Sequence, residues 1–192
     1  MGEHFGSKPC LAKVQFILID KARTKTVEHS QSAGFQVWRW TAETYDVIVQ
    51  PREARAYTIF VQAQDRGGTY ERALSELRAG RKTSHWMWFV FPQIAGLGQS
   101  EMSRRYAIES LQEAREYLAH PVLGPRLREC AGIVLATRGR TAVEIFGDID
   151  ARKLRSCMTL FHRAAPDEPL FREVLDRYFG GVLDPATDAL LG

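Results

Sequence analysis

Two cations and two hydroxyl side chains stand directly before the densest aromatic run of this sequence. The segment GRKTSHWMWFVFPQ occupies residues 80–93, and a helical turn is predicted to begin near His85. The four polar residues before that turn are Arg81, Lys82, Thr83 and Ser84. A helix start carries unpaired N–H groups and a partial positive charge, so cations and hydroxyls placed there would suit a phosphate or a carboxylate. We therefore predict a small-anion site here. The alternative is that Ser84 caps the turn while the two cations are solvated or paired with acids.

His85 lies at the edge of the aromatic run and is the candidate for a catalytic group. An imidazole titrates near neutral pH and can act as a general acid or base. The alternative is a core histidine that is hydrogen-bonded to the backbone. The large rings that follow are Trp86, Trp88, Phe89 and Phe91. They predict a core, in particular at the two phenylalanines, and the alternative is that one of them is a stacking surface for a nucleobase.

A second polar cluster follows Pro92. Gln93 is predicted to bind the ligand, together with the glycine-rich loop GLGQS at residues 96–100. The loop does not fit a dinucleotide fingerprint or a P-loop, because no strand precedes it and the later glycine and lysine are absent. The alternative is an ordinary loop in which Ser100 caps the next helix.

A third cluster lies much later in the chain. Asp150, Lys153 and Ser156 are spaced at i, i+3 and i+6, roughly one face of a helix. A lysine near a serine can support hydrolytic or transfer chemistry, so Lys153 and Ser156 join the predicted ligand-binding residues. The alternative is that Asp150 caps the helix and pairs with Lys153 on its surface.

The composition limits the classes of partner, location and cofactor that are expected. Of 192 residues, 26 are basic and 23 acidic, and a formal net charge of +3 without clustering does not predict nucleic-acid binding. No apolar run is long enough to cross a bilayer, and no signal peptide is predicted. The three cysteines, Cys10, Cys130 and Cys157, are too few and too widely spaced for a disulfide framework, so a reducing, cytoplasmic location is expected. No two histidines have metal-ligand spacing, so neither a metal nor a cofactor is predicted.

The elements that must position these residues change in type along the chain. Strand-like runs occupy residues 14–20, 35–40 and 45–50, and the apolar period becomes helical after Pro51. We predict a mainly α fold, a compact bundle of short helices spanning residues 54–192. Residues 1–53 form a short N-terminal extension that is either β-rich or loosely ordered.

Helix signals are clearest on either side of the aromatic run. Thr69 is predicted to cap a helix that ends at Gly80, with Glu76 on its exposed face beside Arg72. Later, Gly147 is predicted to end one short helix before Asp150 caps the next.

Several segments resemble one family. Besides residues 70–100, they are FVQAQ at 60–64, YAIESLQEAREYLAHPVLGPRL at 106–127, IFGDIDARKLRSCMTLF at 145–161 and VLDRYFGGVLDPATDALL at 174–191. Together they resemble the bacterial domain-of-unknown-function family 1810, some of whose members are labelled calpastatin, over roughly residues 57–192. The resemblance implies a small, all-α, cytoplasmic protein and carries no established activity. The first fifty residues match nothing in the family.

Two hypotheses about function remain open. One is a pocket for a small anionic ligand, such as a nucleotide or phosphometabolite, and whether it catalyses a reaction is undecided. The other is a non-enzymatic helical module that binds a protein partner. Inward-pointing Arg81, His85 and Lys153 would favour the pocket, whereas an exposed apolar patch would favour the module.

Overall fold

The computed structural model describes the backbone of residues 15–20, 23–32, 35–40, 47–49 and 51–192, with side chains from residue 57 onward. The chain divides into two compact units, Met1–Ala56 and Tyr57–Gly192.

The first unit contains a four-stranded antiparallel sheet whose strands follow one another in chain order. The strands are β1 Gln15–Asp20, β2 Arg23–Ser32, β3 Phe35–Trp40 and β4 Val47–Val49. Three of them coincide with the predicted strand-like runs, whose ends at residues 14, 45, 46 and 50 lie outside the described residues. β2 was not predicted, because its sequence RTKTVEHSQS is almost entirely polar and lacks an apolar alternation.

The second unit is helical, which confirms the mainly α prediction. The helices from residue 51 onward are α1 Pro51–Asp65, α2 Thr69–Arg78, α3 Met87–Val90, α4 Glu101–Arg105, α5 Leu111–Ala119, α6 Leu123–Ala136, α7 Ala142–Ala164, α8 Pro169–Phe179 and α9 Pro185–Leu191. A short parallel ladder joins β5 Gln93–Ile94 to β6 Ala107–Ile108. Helix α7 packs against α5, α8, α9 and β5, so it forms the axis of the bundle.

The buried face of α7 follows directly from its sequence. Leu154, Cys157, Met158 and Phe161 recur at the spacing of one helical face, and all four are fully buried. This long helix changes direction at Gly147, where the backbone adopts φ 76° and ψ 164°. Such a conformation is essentially restricted to glycine. Gly147 therefore interrupts the helix, as predicted, and a second helical segment follows it across the bend.

The aromatic run after Ser84 supplies one end of the core. Trp86 and Phe91 are fully buried, and their ring centroids lie 6.4 and 6.1 Å from that of Phe146 on α7. Phe89 is also buried, so the predicted core positions of both phenylalanines are confirmed. Trp88 differs, since it is only partly buried at the edge of the cluster.

Of the two predicted ends of α2, the C-terminal end is confirmed and the N-terminal cap is wrong. Gly80 ends α2 in a left-handed conformation with φ 65°, as predicted, and its N–H donates to the carbonyl of Leu77. The predicted cap at Thr69 is wrong, because Thr69 is already helical and its hydroxyl donates backwards to the carbonyl of Arg66. The capping position belongs to Gly68.

The helical domain is expected to fold without the N-terminal residues. A chain beginning at residue 54 should melt cooperatively and give a helical far-ultraviolet spectrum, because the second unit contains its own buried core. Aggregation, or a melt without cooperativity, would show that the helical domain depends on residues 1–53.

Substituting the buried ring of Phe91 and the partly buried ring of Trp88 tests where each ring lies in the core. Phe91→Ala should lower the free energy of unfolding by about 3–5 kcal/mol, as for a large aromatic deleted from a core. Trp88→Ala should cost clearly less, because its ring is only partly buried. Urea denaturation of both variants measures the difference, and equal losses would contradict the placement of Trp88.

Candidate functional site

The carboxylate of Glu76 organises the polar segment before the aromatic run. Its Oε2 accepts hydrogen bonds from the backbone N–H of Thr83 at 2.8 Å and of Ser84 at 3.1 Å. The same oxygen accepts the indole N–H of Trp86 at 2.8 Å. One acid on α2 therefore satisfies two consecutive backbone N–H groups of the loop and the polar atom of a fully buried ring.

Glu76 is held in its ionised form. Desolvation opposes ionisation, but the Ser84 hydroxyl, the two N–H groups and the indole outweigh it and lower the pKa of Glu76 to about 2. The Ser84 hydroxyl is buried close to this carboxylate without the geometry of a hydrogen bond to any described group. The sequence placed Glu76 on an exposed face, because nothing in its helical spacing reveals a loop that folds back over it.

Two lysines from distant parts of the chain meet at one carboxylate. Lys82 Nζ lies 2.7 Å from Asp150 Oδ2, and Lys153 Nζ lies 2.6 Å from Asp150 Oδ1. We call these three residues the lysine cluster. Their side chains are 8%, 20% and 17% exposed for Lys82, Lys153 and Asp150, so the charges are largely withdrawn from water.

Backbone and ring contacts fix the lysine cluster in place. The N–H of Lys82 donates to the carbonyl of Ile145 at 2.7 Å, which ties the loop to the first part of α7. Lys82 Nζ lies 5.1 Å from the ring centre of Trp86, and Lys153 Nζ lies 4.6 Å from that of Trp88. Both distances fall within the range of a cation–π contact.

Asp150 only partly has the role that its sequence position offers. It was expected to cap a helix and to pair with Lys153. The ion pair with Lys153 is present, but Asp150 lies three residues past the non-helical Gly147, inside the helical segment that follows, and its carboxylate also reaches Lys82. Desolvation opposes ionisation of Asp150, while hydrogen bonds and attraction from Lys153 and Lys82 prevail and lower its pKa. The cluster thus contains two cations and one anion.

The remaining predicted site residues do not all gather at this cluster. Arg81 and His85 are exposed, and neither side chain has a hydrogen bond or ion pair with another described residue, although the backbone N–H of Arg81 donates to the carbonyl of Glu76 at 3.0 Å. Gln93 is half-buried in β5, which packs against α7. Ligand binding by these residues stays a prediction.

Ser156 takes part in a separate polar contact. Its hydroxyl donates to Asp184 Oδ2 at 3.0 Å, and the same oxygen accepts the N–H and hydroxyl of Thr187 at 2.9 and 2.7 Å. Asp184 is the N-cap of α9, so Ser156 helps to hold the last helix against α7. The structure does not bring Ser156 to the lysine cluster, although it lies one turn from Lys153 on the same helix.

The described residues contain neither a candidate membrane-spanning helix nor a candidate metal-binding group. No helix in that part of the chain combines the length and apolar character that a membrane crossing requires. No group of three or more histidine, cysteine or acidic side chains in the same residues could hold a metal ion.

Comparison with known proteins assigns the helical unit to a protein family. The family model described as "Protein of unknown function (DUF1810)" matches residues 54–191. The chain belongs to this family. A crystal structure of a DUF1810-like chain, the conserved hypothetical protein Rv1873 from Mycobacterium tuberculosis, is 52% identical with a TM-score of 0.68. The match covers 70% of this DUF1810 chain and 94% of the mycobacterial one, whereas no curated protein matches significantly.

The ionisation of Glu76 gives the DUF1810 domain a testable acid dependence. Glu76→Gln should lower the free energy of unfolding at pH 7 by about 1–3 kcal/mol, because the charged acceptor for three donors is lost. The pKa of Glu76 is lowered from 4.5 to about 2 by folding, so its contribution is complete above pH 4.5 and disappears as the pH falls towards 2. The difference between wild type and variant should shrink across that window.

Chemical denaturation at several pH values measures this difference. Glu71→Gln is the matched control, since Glu71 lies on the same helix but is exposed. A difference between wild type and Glu76→Gln that stays constant from pH 4.5 to 2 would contradict the role of the carboxylate.

Proposed function

We propose that the lysine cluster binds a small anionic ligand, with Lys153 as its accessible anchor. The observation that carries the proposal is that Lys82 and Lys153 both reach the single carboxylate of Asp150. One negative charge cannot neutralise two ammonium groups, so a net positive charge remains in a largely desolvated place. An anion that approaches this place is attracted more strongly than it would be at an exposed lysine.

The lysine cluster is also preorganised, because its residues are held in place without a ligand. Lys82 is held by its backbone bond to Ile145, and the loop around it is fixed by Glu76. A preorganised cation loses little conformational freedom on binding, which favours affinity. Lys153 is the more exposed of the two lysines and therefore the one a ligand would meet first.

The nearby rings indicate the class of ligand. Trp86 is fully buried, so its indole serves the core and not a ligand. Trp88 is partly buried and lies under the ammonium of Lys153, which places an aromatic face beside the cation. A nucleotide combines a phosphate with a base that can stack on such a ring, and a phosphometabolite would use the cations alone. Arg81, Ser84, His85 and Gln93 are proposed as further contacts.

The alternative function, a protein-interaction module, has one observation in its favour. Val143 and Ile149 of α7 are large apolar side chains that are 48% and 64% exposed. They lie on the two sides of the bend at Gly147, and Ile149 is next to Asp150 in sequence. A protein partner could cover them, but scattered exposed apolar residues are ordinary on soluble proteins, so the anion site is the better supported proposal.

Thermal denaturation with a panel of anions tests the proposal. Inorganic phosphate, pyrophosphate, ADP and ATP should be compared at matched ionic strength, because general screening would otherwise mimic binding. A ligand at one hundred times its dissociation constant adds about 2.7 kcal/mol to the free energy of unfolding. Lys153→Gln should lower this increase, and any part of the increase that survives the substitution belongs to anion binding elsewhere on the protein.

Arg152→Gln is the matched control. Arg152 is exposed, adjoins Lys153, and its loss changes the net charge equally. It should leave the ligand effect intact. Equal effects of both substitutions, or an absence of any effect throughout the panel, would reject the anion site and favour the interaction module.

A further inference from the structure

A second cationic feature lies apart from the residues of the lysine cluster. A groove of about 400 Å³ runs between the loop after α6, the first turn of α7 and the end of α8. Its lining residues are Gly139, Arg140, Thr141, Glu144, Arg177 and Tyr178. We call it the arginine groove. It shares no residue with the site proposed above.

Most donors of its two arginines are unused. Arg140 has no hydrogen bond or ion pair with any other described residue, and its side chain passes over Gly80. Arg177 donates one N–H of Nη2 to the carbonyl of Thr137 at 2.8 Å. A guanidinium has five N–H donors, so both side chains retain several for a ligand.

The acid in the groove is already engaged. Glu144 Oε2 accepts the N–H of Thr141 at 2.6 Å and its hydroxyl at 2.9 Å. The Thr141 hydroxyl in turn accepts the N–H of Glu144, which completes a capping box. These bonds and the nearby Arg140 lower the pKa of Glu144, so it stays ionised and committed to the helix start.

The walls of the groove are fixed by backbone contacts. The hydroxyl of Tyr178 donates to the carbonyls of Val134 at 2.6 Å and Thr137 at 3.2 Å, which ties α8 to the end of α6. Gly139 has a left-handed backbone with φ 67° between two arginines, Arg138 and Arg140. Arg138 is exposed and has no ion pair among the described residues. Two arginines, Arg140 and Arg177, therefore line a groove whose one carboxylate is already engaged, and Arg138 is their neighbour in sequence.

We infer that the arginine groove binds the phosphoryl group of a small phosphorylated ligand. The planar fork of a guanidinium matches two phosphate oxygens, and two arginines can grip one group from two sides. The volume lies within the range of small-molecule sites, and the half-buried ring of Tyr178 supplies an apolar wall. This inference does not rest on the lysine cluster.

Calorimetric titration of the full chain with pyrophosphate at constant ionic strength tests the inference. Arg140→Gln should weaken binding about tenfold or more, because charge-assisted hydrogen bonds are lost. Arg104→Gln is the matched control, since Arg104 is exposed on α4 and does not line the groove. It should change the affinity by less than about twofold, as expected for a general charge effect outside the site.

Two more variants make the result decisive. Arg140→Lys keeps the charge but loses the fork, so it should bind with an affinity between those of wild type and Arg140→Gln. Lys153→Gln should retain the groove affinity. Equal losses in Arg140→Gln and Arg104→Gln, or titrations that never saturate, would overturn the inference. A loss confined to Lys153→Gln would also overturn it, while supporting the lysine cluster as the anion site.

Discussion

The hydrogen bonds to the carboxylate of Glu76 are the interaction on which the rest of the site depends. Because Oε2 accepts the indole N–H of Trp86, this large ring can be buried without an unsatisfied donor. The same oxygen holds the backbone of Thr83 and Ser84, and thereby sets the path of the loop between α2 and α3. A carboxylate on α2 thus determines how the aromatic core closes.

The loop between α2 and α3 contacts α7 through Lys82. The N–H of Lys82 donates to the carbonyl of Ile145, two residues before the bend at Gly147, and its ammonium reaches Asp150, three residues after it. An added Cβ at Gly147 would meet no atom within 4 Å, so the constraint there is the backbone conformation and not the available space. The bend and the lysine cluster belong to one arrangement, in which a single loop residue contacts both halves of the helix.

Helix α7 also carries a second polar network. Thr159 accepts the N–H of Asp184, and Asp184 accepts the hydroxyl of Ser156, while Arg155 donates to the carbonyls of Val182 and Leu183. These bonds replace the water that would otherwise solvate the start of α9. One helix therefore supplies residues both to the lysine cluster and to the contact that holds α9.

The sequence by itself determined the helical class of residues 54–192, the core positions of Phe89 and Phe91, and the end of α2 at Gly80. Periodicity and glycine conformation are local properties, so they can be recognised without knowing the packing. Lys82 and Lys153 were also singled out, and the i, i+3 spacing offered the ion pair of Lys153 with Asp150, but only the tertiary structure brought Lys82 to the same carboxylate. The structure likewise decided the roles of Glu76 and Ser156, because each depends on a partner in another element. Ion pairs and hydrogen bonds between distant segments are selected by the folded geometry, and the spacing of residues along one helix does not encode it.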